Sequence, residues 1–177
     1  LKNVSFQYST SKEKNLSNIN IKAKSGETIG IIGGTGSGKT TLVSLISRFY
    51  DTTSGEIILF GNDIKTYSKD FLRDNIGNVL QKSTLFKGSI RENMQWGSEN
   101  TSDEEIYKYL EIACAKQIVD KKIEGLDYQI SQNGKNLSGG EKQRLSITRT
   151  LLKKPKILIL DDSTSAVDTK TDKLIRK

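Results

Sequence analysis

A glycine-rich stretch constrains the fold of this chain more than any other feature of its sequence. The residues GGTGSGKTT occupy positions 33–41, between the apolar segment TIGII and the segment KTTLVSLISRFY, whose apolar residues recur at helical spacing. The stretch matches the pattern G-x-x-x-x-G-K-[ST], with Gly33, Gly38, Lys39 and Thr40 at the fixed positions. A strand, a glycine loop and a helix in this order predict a phosphate-binding loop. The alternative is a flexible glycine turn that happens to precede a lysine.

Phosphate binding requires this composition. Glycines let the backbone curl so that successive N–H groups point at phosphate oxygens, and the helix N-terminus adds a partial positive charge. Lys39 can reach the β- and γ-phosphates of a nucleotide, while the Thr40 hydroxyl can ligate Mg²⁺. We therefore expect the whole loop to bind nucleotide, through Gly33, Gly34, Thr35, Gly36, Ser37, Gly38, Lys39, Thr40 and Thr41.

Two adjacent aspartates follow KILIL, the most strongly apolar segment that reads as a strand. Open α/β sheets bind ligands at the carboxyl ends of their strands, so Asp161 suits direct or indirect contact with Mg²⁺. Asp162, the next residue, points elsewhere and could face the γ-phosphate. The alternative is that DDST begins an exposed loop and caps the next helix, because these residue types are good helix caps.

Segments typical of strands and of helices alternate along the chain. KDFLRDNIGNVLQ reads as a short helix and then a strand, and residues 89–122 are mostly helical in character. This alternation predicts an α/β fold whose parallel core is buried on both faces. The other predicted strands are LKNVSFQY, NINIKAK, TIGII, SGEIILFG and KILILDD, and the other predicted helices are KTTLVSLISRFY and EKQRLSITRTLLKK, the last ended by Pro155.

Composition excludes several classes of function. The chain has no histidine, which rules out a His-based triad or a His-ligated metal within these residues. Its one cysteine, Cys114, cannot form an internal disulfide and reads as a small core residue on a helix. The net charge of +7 comes from lysines without interleaved aromatic residues, which favours a solvated basic surface over nucleic-acid binding. No apolar run approaches the roughly 18 residues needed to cross a membrane.

The chain resembles the ATPase domain of ABC transporters, and more closely the exporter type. LSGGEKQR, residues 137–144, resembles the signature motif of the family, and residues 54–97 resemble the exporter pattern. The similarity covers essentially all 177 residues, with five motifs in the right order. It implies a P-loop NTPase core with a parallel sheet, an N-terminal antiparallel β part and a helical, signature-bearing subdomain at roughly 82–150. It also implies that 1–177 form a single ATPase domain that is incomplete at both ends.

The resemblance implies roles for residues at matching positions. Tyr8 matches the aromatic residue that stacks on adenine, and Gln81 matches the glutamine that contacts Mg²⁺ and senses the transmembrane part. Residues 165–168, SAVD, match the loop that crosses between subunits. Asp162 stands at the catalytic position, where it acts together with Lys39 and Gln81.

The signature residues Ser138, Gly139 and Gly140 match those that bind the γ-phosphate of ATP held by the opposite subunit. They lie where a helix begins, which exposes unpaired backbone N–H groups to an anion. The chain already has a phosphate loop of its own, so a second phosphate-binding helix start suggests a head-to-tail dimer that sandwiches two ATP molecules. An ordinary capped helix is the alternative, but it would not explain both features.

Three residues depart from the family pattern. Gly34 stands where many exporters have proline, and Gln132 stands where an acidic residue usually precedes the signature. Asp162 replaces the family's glutamate. The pKa values of the two acids differ by only about 0.4 units, but one methylene fewer withdraws the carboxylate by roughly 1 Å, and such a misplacement can cost about a hundredfold in rate. We therefore expect slow hydrolysis, as in one half of a heterodimeric exporter.

The resemblance implies an ATP- and Mg²⁺-dependent motor domain on the cytoplasmic face of a membrane. Its expected partners are a transmembrane domain, in the same polypeptide or associated with it, and a second ATPase domain in a head-to-tail homo- or heterodimer, without nucleic acid. A nucleotide-gated module, for which closure on ATP is the output and turnover is incidental, is the alternative. DNA-repair and chromosome-organising ATPases carry long coiled-coil insertions between the phosphate loop and the signature, and this chain has no sustained heptads there.

Overall fold

The computed structural model describes residues 1–161, and those residues divide into two units, Leu1–Arg73 and Asp74 onward. Asp162 and residues 165–168, which carry two of the predicted functions, lie outside the described residues. Each unit has its own elements and its own buried residues, and each is described by itself.

The first unit is built on a three-stranded antiparallel sheet with the order β2 (Leu16–Ile19), β1 (Lys2–Phe6), β3 (Ser54–Glu56). Val4 and Phe6 of the central strand are buried, while Lys2 lies exposed at its beginning and forms an ion pair with Glu56. Ser5 is buried as well, so the strand is exposed at its first two residues and buried over the next three. The antiparallel pairing of this strand with its two neighbours confirms the predicted N-terminal antiparallel part. The elements are β1 (Lys2–Phe6), β2 (Leu16–Ile19), α1 (Lys39–Ile46), β3 (Ser54–Glu56), the β4–β5 pair (Ile58–Leu59 and Asn62–Asp63), a 3₁₀ turn (Ile64–Thr66) and α2 (Lys69–Asn75), which crosses the unit boundary.

The second unit combines a parallel strand pair with a group of helices. β6 (Ile76–Val79) runs directly on from α2 and pairs in parallel with β9 (Ile157–Leu160), and α6 (Gly139–Leu152) packs against β6. Gly77 allows this approach, because a Cβ there would lie 2.7 Å from both Pro155 and Thr150. The remaining elements are β7 (Gly88–Ser89), α3 (Ile90–Gln95), α4 (Asp103–Ile112), α5 (Lys116–Asp120), β8 (Gln129–Ile130) and the 3₁₀ turns Gly125–Asp127 and Gln132–Gly134.

The core of the second unit lies around α6. Leu145 and Ile147 of this helix are fully buried and belong to the same cluster as Met94 of α3 and Leu110 of α4. The predicted helical character of residues 89–122 and the predicted helix over residues 141–154, observed as Gly139–Leu152, are therefore confirmed, as is the end of the last helix before Pro155. Among residues 1–161, no helix combines the length and the apolar character that a membrane span requires.

One predicted strand is absent from its expected place. Residues 28–32, TIGII, belong to no strand of the described structure, and Ile32 is 98% exposed. A continuous apolar run is typical of a strand buried between neighbours on both sides, but the first unit places no strand beside this segment. Burial on both faces is also incomplete for β9, since Leu158 remains 40% exposed and β9 pairs only with β6 among the described strands.

Candidate functional site

The phosphate loop enters α1 through a backbone conformation that requires glycine. Gly38 caps α1 with φ 90° and ψ 9°, and a Cβ at this position would lie 2.7 Å from Leu16 Cδ2 and 3.1 Å from the Asn15 carbonyl oxygen. The first bond of the helix runs from the Leu42 amide to the Gly38 carbonyl oxygen, at 2.8 Å. The amides of residues 39–41 therefore start the helix without an acceptor inside it, which makes them donors for an anion.

The Lys39 side chain folds back over the loop. Its ammonium donates to the carbonyl oxygens of Gly33, at 2.7 Å, and of Gly34, at 2.9 Å. An ammonium group has three N–H donors, so a third donor remains for a ligand. The loop thus holds a fixed positive charge beside the exposed amides at the start of α1.

Tyr8 lies next to this loop in the first unit. Its hydroxyl donates to Thr41 Oγ1 at 3.3 Å, and its ring packs edge-on with Phe6 and with Tyr50, at centroid distances of 4.7 and 5.2 Å. These contacts fix a half-buried aromatic ring beside the last residue of the phosphate loop. The geometry agrees with the predicted adenine-stacking residue, whose role stays a prediction.

Two candidate magnesium ligands share one edge of the parallel strand pair in the second unit. Val79 and Leu160 are register partners at the ends of β6 and β9, and the Asp161 amide donates to the Val79 carbonyl oxygen at 3.0 Å. Gln81 follows β6 by two residues, so Gln81 and Asp161 both leave the sheet at its carboxyl edge. Their oxygens are of the type that Mg²⁺ prefers.

The signature begins α6 with a capping box. Ser138 Oγ accepts from the Glu141 amide at 3.2 Å, while Glu141 Oε2 accepts from the Ser138 amide at 2.7 Å. Burial alone would raise the pKa of the Glu141 carboxyl, but its bonds to Ser138 and the charges of Lys122 and Arg144 leave the pKa below its ordinary value. The amides of Gly139 and Gly140 begin the helix, where no acceptor within the helix is available.

Sequence reasoning missed the residues that hold this helix start. Glu141 is recoverable, because a serine followed three residues later by glutamate is a capping-box pattern. Asn136 is not, because no motif marks it. The structure nevertheless shows its side chain bonding to Ser131, Tyr128 and the Gln129 carbonyl.

The two units together contain two helix starts suited to phosphate, at residues 39–41 and at Gly139 and Gly140. The first has the Lys39 ammonium and the Tyr8 ring beside it, whereas the second has the capping box formed by Ser138 and Glu141. Such an arrangement can bind the phosphates of a nucleotide at the first start and a further phosphate group at the second.

Known proteins are similar to this chain in sequence and in fold. Residues 16–165 match the protein family described as ABC transporter. The chain is 44% identical over 175 residues to the putative multidrug export ATP-binding/permease protein YgaD of Bacillus subtilis, which covers 99% of this chain and 30% of that protein. It is 41% identical over 175 residues to the β-(1→2)glucan export ATP-binding/permease protein NdvA of Agrobacterium fabrum, with the same two coverages.

A solved structure agrees with these relatives. The fold is similar to that of a bacterial Atm1-family ABC exporter with ATP bound, with a TM-score of 0.93 and 35% sequence identity over 99% of this chain and 30% of that chain. The chain thus spans about a third of the length of these relatives. The resemblance seen in the sequence is confirmed: this chain belongs to the ABC transporter family, as an ATP-binding domain of the exporter type.

Proposed function

We propose that this chain is the ATP-hydrolysing motor domain of an exporter, in which ATP-driven dimerisation is coupled to transport across a membrane. The start of α1 is the observation that carries the proposal. There, a left-handed glycine opens the helix and Lys39 is held over the loop by two carbonyl groups. This arrangement offers several amides and one cation to a polyphosphate, as phosphate loops do.

Three residues of the chain offer oxygen donors of the type that Mg²⁺ prefers. Thr40 offers a hydroxyl oxygen, Gln81 an amide oxygen and Asp161 a carboxylate oxygen, all of them hard donors. When bound with a nucleotide, Mg²⁺ neutralises the charge that develops on the transferred phosphoryl group. Lys39 and the amides of the loop orient the phosphates, and the resemblance assigns to Asp162 the role of holding the attacking water.

We infer that hydrolysis at this chain's own phosphate loop is slow. The Asp162 carboxylate is roughly 1 Å shorter in reach than the glutamate of the family, so nucleotide binds well while the water is held poorly. The same feature favours the second candidate function, a nucleotide-gated regulatory module whose closure on ATP is its output. Measured turnover separates the two.

The proposed partners are a transmembrane domain and a second ATPase domain in a head-to-tail dimer, with the chain on the cytoplasmic face of the membrane and no nucleic acid involved. The relatives, named as ATP-binding/permease proteins, support the first partner. Phe86 and Trp96 support it too. Their rings stack at 4.8 Å, and Trp96 is 66% exposed. A stacked aromatic pair open to solvent suits a contact with the permease part of the same polypeptide.

Nucleotide binding by the intact protein tests the proposal. We expect Lys39→Ala to weaken binding of a fluorescent ATP analogue at this loop by at least about tenfold, because charge-assisted bonds to phosphate are lost. Lys22→Ala is the matched control, since it removes an exposed lysine of the same unit that lies outside the loop. Equal binding by the two variants would show that the loop holds no nucleotide, and the proposal would then be wrong.

A further inference from the structure

The chain segment before the signature follows a tightly bonded path. The Gly134 amide donates to the Ser131 carbonyl oxygen at 2.8 Å, and the Leu137 amide donates to the Gly134 carbonyl oxygen at 3.0 Å. Leu137 is buried in the core of the second unit. The backbone therefore reaches Ser138, the N-cap of α6, from an anchored position and not from a free loop.

The Asn136 side chain uses all of its hydrogen-bonding capacity within this segment. Its Oδ1 accepts from the Ser131 amide at 2.9 Å and from the Ser131 hydroxyl at 3.0 Å. Its Nδ2 donates to Tyr128 Oη at 3.1 Å and to the Gln129 carbonyl oxygen at 2.8 Å. A carboxamide has two donors and two lone pairs, so every position is filled. The Asn136 amide also donates to Ser131 Oγ, at 3.2 Å.

Tyr128 connects this cluster to the capping box. The Lys122 ammonium lies 4.2 Å from the centroid of the Tyr128 ring, a cation–π contact. The charge of Lys122 also acts favourably on the Glu141 carboxylate, which caps the amide of Ser138. Lys122 thus interacts both with the Tyr128 ring, which Asn136 contacts, and with Glu141, whose carboxylate caps the start of α6.

We propose that Asn136 is a positioning residue for the signature: its side chain ties residues 128–131 to the backbone two residues before Ser138, so that the amides of Gly139 and Gly140 are held ready for the phosphate of a nucleotide on a second ATPase domain. The inference rests on the proposed function, because it assumes that the signature meets that phosphate. It assigns to Asn136 a role that acts through α6, without contact to the nucleotide.

A preorganised helix start binds an anion without first ordering its own backbone. Loosening the segment leaves nucleotide binding at this chain's own phosphate loop unchanged, because Lys39 and its neighbours are not involved. It weakens closure of the dimer and turnover at the site that this signature completes. Each hydrogen bond lost lowers dimer closure, and with it turnover, by between about twofold and tenfold.

Variants of the intact protein test the inference. Asn136→Ala removes the four side-chain bonds, and Gln129→Ala is its matched control, because it removes an exposed side chain of the same segment but keeps the carbonyl that Asn136 contacts. Ser131→Ala and Ser131→Thr form a second pair, in which only threonine keeps the hydroxyl. Nucleotide binding at the phosphate loop, ATP turnover and the unfolding temperature are measured for each variant. Ser138→Arg, which blocks the signature itself, is included as a reference.

We expect Asn136→Ala to bind nucleotide as the parent does and to lose about tenfold in turnover, with Gln129→Ala unaffected. Turnover falls in Ser131→Ala and is restored in Ser131→Thr. If Asn136→Ala does not fold, the Ser131 pair decides the question. Equal turnover in Asn136→Ala and Gln129→Ala, or equal turnover in the two Ser131 variants, overturns the inference. So does a parallel loss of nucleotide binding and turnover, which indicates a general loss of structure.

The reference variant separates this inference from the proposed function. Full turnover in Ser138→Arg shows that the signature meets no nucleotide, and the head-to-tail arrangement is then wrong together with the inference. A loss in Ser138→Arg without any loss in Asn136→Ala leaves the arrangement in place and overturns only the role of Asn136.

Discussion

Lys39 and Gly38 show how single residues define the phosphate loop. Gly38 adopts a left-handed conformation in a place where Leu16 and Asn15 leave no room for a Cβ. A side chain there would add strain to a steric clash. Lys39, by contrast, is held by carbonyl groups that any residue supplies. The loop therefore depends on glycines where the backbone is left-handed, at Gly36 (φ 80°) and Gly38, and on the charge of Lys39.

We propose that the hydrolysis rate depends on a single methylene group in the residue at position 162. We expect Asp162→Glu to raise ATP turnover at this chain's own site by up to about a hundredfold, because the longer side chain restores the reach of the carboxylate. Asp162→Asn removes the charge at nearly constant shape and changes turnover little if the parent site is already slow. A fast parent that Asp162→Asn inactivates would contradict this argument, because aspartate would then be a competent base.

At the scale of the elements, three helices within residues 1–161 end in the left-handed conformation without glycine. Arg48, Cys114 and Lys154 have φ values of 51°, 52° and 51° and follow α1, α4 and α6 by two residues. At α4, the Cys114 amide donates to the Glu111 carbonyl oxygen and the Ala115 amide to that of Leu110. This bond pattern is a Schellman motif, in which glycine is the favoured residue.

Cys114→Gly should therefore stabilise the protein. Glycine avoids the steric cost of the left-handed conformation, and after its larger loss of backbone entropy we expect a gain of about 0.5–1 kcal/mol. For a protein of this size the gain corresponds to an increase of roughly 1–4 °C in unfolding temperature. Cys114→Ala is the control, because it also removes the thiol but keeps the strain. Equal unfolding temperatures for Cys114→Gly and Cys114→Ala would contradict the argument.

The sequence correctly predicted those elements whose residues show a recognisable pattern of caps and apolar positions. α6 has an N-cap serine, an amphipathic repeat and a following proline, and β9 has an apolar run that ends in aspartate; both lie where they were expected. The helix ends were not predicted, because neither Arg48 nor Cys114 marks a left-handed position. The prediction that Cys114 is a core residue on a helix is therefore wrong. Cys114 is half-buried and lies two residues beyond the end of α4.

Contacts between residues that are distant along the chain also cannot be predicted from sequence patterns. The role of Asn136 depends on Tyr128, which approaches it only after the chain has turned through residues 131–134. The segment 28–32 has the pattern of a strand, but the structure contains no strand there. Its apolar run is a valid strand pattern, but a strand also requires a neighbour that supplies hydrogen bonds, and a pattern does not show whether one is there.

At the scale of the whole molecule, the two phosphate-binding helix starts serve different sites if the dimer is head-to-tail. In the proposed dimer, Lys39 would hold the nucleotide of this chain's own site, and Asp162 would make hydrolysis at that site slow. Ser138 completes the site whose phosphate loop belongs to the second ATPase domain. We therefore expect Ser138→Arg to lower total ATP turnover of the intact protein more strongly than Lys39→Ala does.

The steady-state turnover of both variants, measured beside the Lys22→Ala control, checks this expectation. A chain paired with a more active partner loses most of its turnover in Ser138→Arg and keeps a substantial part of it in Lys39→Ala, because only the slow site has lost its nucleotide. Two identical chains lose turnover to the same extent in both variants, since each site then carries one altered residue. Equal losses would thus contradict the pairing of a slow site with a fast one, even though the head-to-tail arrangement itself would stand.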